Sequence, residues 1–137
     1  LEIPQLDRSG YLKGLLITAR KDNQLTESEI SIIKKFATRL GFSSDFFEET
    51  ISNLLENKYI TEEPIKFSDK NIAKSFLEDG LKLALSDNII GKDELTWLNA
   101  TSKVNGIDED WVDKKMKEIQ SKPHLIGKTE FALFSLI

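Results

Sequence analysis

Ala19-Arg-Lys-Asp22-Asn-Gln-Leu25-Thr26-Glu-Ser-Glu29 and, sixty-five residues on, Ala84-Leu-Ser-Asp87-Asn-Ile-Ile90-Gly91-Lys-Asp-Glu94 are two versions of one segment. Extending the same offset without a gap pairs Leu12 with Leu77, Gly41 with Gly106 and Asp45 with Asp110. Conservative pairs lie between: Ile30 with Leu95, Ile33 with Leu98, Phe42 with Ile107, Phe46 with Trp111, Ile51 with Met116 and Leu54 with Ile119. A register held that long makes the chain a duplication of one supersecondary unit. The repeats run over about 11–57 and 76–122, with a connector at 58–67 that carries Pro64.

The apolar spacing inside each copy is helical. Leu12, Leu15, Leu16 and Ala19 make one stripe, Ile30, Ile33, Ala37 and Leu40 a second, and Phe47, Ile51, Leu54 and Leu55 a third. In the second copy Ile72, Ala73, Phe76, Leu77, Gly80, Leu81, Ala84 and Leu85 stack on one face. The middle helix of that copy is poorly patterned: Thr101, Ser102 and Asn105 stand where the first copy has Phe36, Ala37 and Leu40. Its buried face is therefore expected to turn toward Trp97, Ala100 and Val104. No stretch alternates as a strand does. The expected fold is an all-α helical bundle in a single domain, with two pseudo-symmetric three-helix repeats and a terminal helix at about 129–137.

Helix starts carry a recurring device, a capping residue preceded by an apolar residue that can reach the fourth helical position. The expected pairs are Leu6-Asp7 with Tyr11, Leu25-Thr26 with Ile30, Phe42-Ser43 with Phe47, Phe67-Ser68 with Ile72, Ile90-Gly91 with Leu95 and Ile107-Asp108 with Val112. Gly41 and Gly106 suit the left-handed residue that commonly ends a helix.

At 137 residues the chain is one domain on the prior of roughly 100 to 200 residues each. It has no cysteine and one histidine, which removes disulfides, thiol nucleophiles and Cys-ligated metals. Nineteen basic against 23 acidic side chains give a net charge of −4, the wrong sign for phosphate-backbone binding, so a nucleic-acid role is not expected. The apolar runs are too short for a bilayer span, and a cytoplasmic protein is expected. A start at Leu1 rather than Met and an apolar end, Phe131-Ala-Leu-Phe-Ser-Leu-Ile137, point to a domain cut from a longer chain. That last stretch either closes the bundle or docks on another subunit.

Chemistry-bearing residues are few. His124 lies beside Pro123 without a repeat counterpart, and neither a nucleophile elbow nor a phosphate-cradling glycine loop occurs. No catalytic residue is expected and the chain reads as a non-enzyme. The one constellation present in both copies is acidic: Asp22 and Glu29, Asp87 and Glu94. An ordinary EF-hand is excluded, because its first and third ligand positions would fall on Thr18 and Arg20, and on Leu83 and Leu85. Thr26-x-x-Glu29 is a capping box and Asp-Asn is good turn chemistry, so structure alone explains these residues. A divalent cation held by Asp22, Glu29, Asp87 and Glu94, or a basic protein partner, is the functional alternative.

Ala19-x-x-Asp22-Asn-x-Leu-x-x-x-Glu29 and Ala84-x-x-Asp87-Asn-x-Ile-x-x-x-Glu94 resemble the TerB-like tellurite-resistance family, also found in DjlA-type membrane co-chaperones. The similarity runs from about Tyr11 to Ile119, and Asn23 and Asn88 stand where the family has a turn glycine. The resemblance implies an all-α bundle with pseudo-two-fold halves and a role in stress response involving metal ions or membrane-associated partners. The function expected is thus a TerB-like stress-response or interaction module, the alternative being a structural scaffold or oligomerisation domain.

Overall fold

The computed structural model describes residues 2–20, 25–56, 63–85, 91–121 and 131–136. Among them the chain is all-helical: α1 (Gln5–Ala19), α2 (Glu27–Arg39), α3 (Ser44–Glu56), α4 (Lys70–Ala84), α5 (Lys92–Val104), α6 (Glu109–Gln120) and α7 (Ala132–Leu136). Each helix of the second triplet begins sixty-five residues after its counterpart: Gln5 and Lys70, Glu27 and Lys92, Ser44 and Glu109. The turn glycines share the offset, with φ of 91° at Gly41 and 70° at Gly106, the left-handed region open to glycine.

The contacts are not shared so evenly. Helix α4 is the hub, touching α1, α5, α6 and α7, and its packing on α1 is the most extensive between helices among the described residues. Gly14 permits that approach, since a Cβ there would lie 2.5 Å from the Phe76 ring. Tyr11, Phe67 and Phe76 meet edge-on or tilted around this seam, with Tyr11 to Phe76 at 5.3 Å between centroids. Leu15, Leu16, Ile33, Phe36, Phe47, Leu77, Leu81 and Leu98 complete one continuous buried core.

Four of the six expected caps stand where the sequence signal puts them, Gly91 of α5 among them, and two do not. Thr26 heads a complete capping box, Ser43 Oγ accepts the Phe46 N–H at 3.1 Å, and Asp108 is the N-cap of α6. Leu6-Asp7, however, is not a staple. Helix α1 begins at Gln5 behind Pro4, and Leu6 is 87% exposed, pointing away from Tyr11. Asp7 is instead buried in the first turn, where its carboxylate accepts the Ser68 N–H at 3.0 Å and the Ser68 hydroxyl. Ser68 is consequently not a cap; Asp69 takes that place and accepts the Asn71 N–H at 2.6 Å.

The expected rotation of α5 is likewise corrected. Val104 is 44% exposed and Ala100 only partly buried, while Trp97, Leu98, Thr101, Ser102 and Asn105 face the core. The helix keeps its inner face because Ser102 and Asn105 find backbone partners. Ser102 Oγ donates to Ile107 O at 2.7 Å. Asn105 Nδ2 donates to Ile65 O at 2.7 Å and Thr101 O at 2.8 Å, and its Oδ1 accepts the Phe67 N–H at 2.8 Å. The amide therefore clamps the end of the connector onto α5 and satisfies groups that burial would otherwise strand.

Candidate functional site

Of the four acidic residues singled out from sequence, Glu29 has a definite structural task. Its Oε1 accepts the Thr26 N–H at 3.0 Å and the Thr26 hydroxyl at 2.9 Å, while its own N–H donates to Thr26 Oγ1 at 3.1 Å. This reciprocal pair satisfies two donors at the start of α2. Glu94 occupies the same helical position on α5 with no side chain at the Gly91 cap. It folds back over that glycine: a Cβ at Gly91 would lie 2.9 Å from Glu94 Oε1. Asp22, Asp87 and His124 lie outside the described residues. No group of three or more Asp, Glu, His or Cys is placed to hold a metal ion among the described residues.

The best-built polar cluster is one that the sequence reading passed over. Asp79 sits on α4 inside the apolar stripe, three residues after Phe76 and beside Gly80, and is fully buried. Its carboxylate accepts the Tyr11 hydroxyl and the backbone N–H groups of Ala132 at 2.6 Å and Leu133 at 3.0 Å. Tyr11 Oη also shares a hydrogen bond of 2.8 Å with Ser75 Oγ. Three elements, α1, α4 and α7, thus meet on one carboxyl group. The open N–H groups of a helix start favour an acceptor there, and a negative charge suits that end of the dipole.

Burial pushes the Asp79 carboxyl from 3.8 up to about 7, against the opposing pull of Tyr11, the Leu133 and Ala132 N–H groups and Lys82. The Tyr11 phenol is raised well above its usual value, first by burial and then by the Asp79 charge. Chemically the cluster can hold a proton and anchor a segment. Both Tyr11 and Asp79 are buried from solvent. The sequence signal that marks it is a carboxylate at a core position of the best-patterned helix, where an isolated charge is costly.

What this anchor holds is the terminal segment. Phe131 and Phe134 lie against Phe36 of α2, with centroids at 4.8 and 5.1 Å, and Leu133 is buried against the body. The apolar end of the chain therefore closes its own bundle. No helix among the described residues is long and apolar enough to cross a membrane. No family model, no curated protein and no solved structure matches the chain.

Proposed function

We propose that this chain is a non-enzymatic interaction module, TerB-like in plan and stress-related in role, that meets its partners at its surface rather than in an interior site. The observation that carries this reading is the use made of Asp79. A buried carboxyl group with a raised pKa, a usual mark of catalytic machinery, is enclosed and committed to tethering α7. The duplicated acidic loops are the proposed contact for a divalent cation or a basic partner. The candidate ligands are Asp22, Glu29, Asp87 and Glu94, with Glu29 already engaged by Thr26. Such a site would retain water ligands, as Mg²⁺ readily does.

A scaffold or oligomerisation role is the second reading, and the terminal apolar segment would be its means. Phe131, Leu133 and Phe134 already pack within the chain, which favours the first reading.

The test is a titration of Mg²⁺, Ca²⁺, Mn²⁺, Zn²⁺ and an oligolysine peptide against the wild type and Asp22→Asn/Asp87→Asn at constant ionic strength, followed by melting. At a ligand concentration ~100 times its dissociation constant, a folded-state site would stabilise by about 2.7 kcal/mol. A saturable shift lost in the double variant supports the loops as a contact. Equal responses in both proteins remove them from the account. A turnover activity abolished by Tyr11→Phe at unchanged melting temperature would overturn the non-enzymatic reading.

A further inference from the structure

On the outer side of α2 the residues Ser31, Lys34, Lys35, Thr38 and Arg39 follow one another at helical spacing and, with Phe134 of α7, line an open groove of about 520 Å³. Three cations in one stripe are notable on a chain of net charge −4. Neither Lys35 nor Arg39 has an acidic partner among the described residues, and the pairing of Lys34 with Glu48 is long, 3.9 Å between half-exposed groups. An exposed pair of that kind is weak and readily exchanged. Arg39 instead lies over the Phe134 ring, 5.4 Å from its centroid, and that ring is stacked on buried Phe36. The groove thus offers an aromatic floor held rigid from beneath, edged by the apolar stems of lysine and arginine with their charges at the rim.

We propose that this groove is a docking site for a short acidic peptide segment of a partner protein, its carboxylates meeting Lys34, Lys35 and Arg39 and an apolar side chain beside them lying on Phe134. A compact phosphate is the poorer fit. The backbone N–H groups at these positions are used within the helix, and the cations from Lys34 to Arg39 spread over about 7.5 Å of its length at ~1.5 Å per residue. Spaced carboxylates along a chain match that spread, and the arginine fork can take one of them in bidentate fashion. The duplication supplies a control within the molecule. The corresponding positions of α5 are Thr96, Asn99, Ala100, Lys103 and Val104, with a single cation.

The proposal rests on the interaction-module reading but not on the acidic loops. The probe is a fluorescein-labelled Glu-Asp-Phe-Leu-Glu-Asp peptide, followed by anisotropy against the full chain. Saturable binding is expected, weakened roughly tenfold or more by Lys35→Glu/Arg39→Glu. It should be unchanged by Lys103→Glu and by Asp22→Asn/Asp87→Asn. If the reversal variant melts lower than wild type, Lys35→Gln replaces it, with a loss of roughly threefold. Comparators are a peptide with Gly-Ser in place of Phe-Leu, inorganic phosphate, and vesicles of phosphatidylserine and phosphatidylcholine. The first should bind more weakly, and the other two should not compete. Absence of saturable binding, equal binding by the reversal variant, or displacement by phosphate or vesicles would overturn the proposal. Loss of cation or oligolysine binding in the loop variant with peptide binding intact would concern the loops alone.

Discussion

Helices α2 and α5 are equal in length and begin and end sixty-five residues apart, and they complete the core by opposite means. In α2 the inner face is Ile33, Phe36 and Ala37, continued by Leu40 at the cap, and its aromatic centre is covered by Phe131 and Phe134 from the chain's end. In α5 the inner face runs from Trp97 and Leu98 into Thr101, Ser102 and Asn105, and its polar end takes hold of the connector at Ile65 and Phe67. Hydrogen-bonding residues at the positions where α2 has apolar ones do not turn α5. They change what the helix grips, from a side-chain cluster to a stretch of backbone.

The largest effect is expected where that contrast is strongest. Phe36→Ala should cost roughly 4 kcal/mol, the range for a buried aromatic truncated to alanine, because it removes the floor beneath Phe131 and Phe134 as well as its own volume. Chemical denaturation would measure it, with faster proteolysis of α7 as a companion signal. A loss below about 1 kcal/mol would mean that α7 does not depend on this ring. Asn105→Ala should follow at about 3 kcal/mol, since Ile65 O, Phe67 N–H and Thr101 O lose their side-chain partner together. Retention of wild-type stability would show that the clamp is dispensable.

Asp79 gives a pH signature. Its folded pKa of about 7 lies above the ordinary 3.8, so the native state binds the proton more tightly. The stability this contributes is full below about pH 4 and is lost as pH rises toward 7. Relative to Asp79→Asn, which cannot ionise, the wild type should lose about 3 kcal/mol across that window. Parallel melting profiles for the two proteins would contradict the raised value. The smallest effect has the opposite sign. Thr101 Oγ1 is buried without a hydrogen-bond partner, and Thr101→Val should leave stability unchanged or raise it by up to ~1 kcal/mol. A marked loss on calorimetry would reveal a bond that this hydroxyl makes in solution.

The all-helical class, the helix order, the left-handed glycines and the capping box at Thr26 are legible in residue spacing because each depends on near neighbours. Asp7, Asp79 and Asn105 are not, because their partners stand 61, 68 and 38 residues away. Locally Asp7 looks like a cap and Asn105 like a reason to rotate a helix. Only the fold reveals that each serves a distant segment. The same holds for the candidate surfaces. The acidic pairs are visible through repetition, whereas the α2 groove needs Phe134, brought from the far end of the chain, to acquire its floor.

The unequal use of the two middle helices can be read directly from amide chemical shifts of the isotope-labelled full chain during titration with the Glu-Asp-Phe-Leu-Glu-Asp peptide. The account predicts saturable shifts concentrated at Ser31, Lys34, Lys35, Thr38, Arg39 and Phe134, with Thr96, Asn99, Ala100, Lys103 and Val104 unmoved. Shifts of equal size on both helices, or none on α2 at saturating peptide, would contradict it.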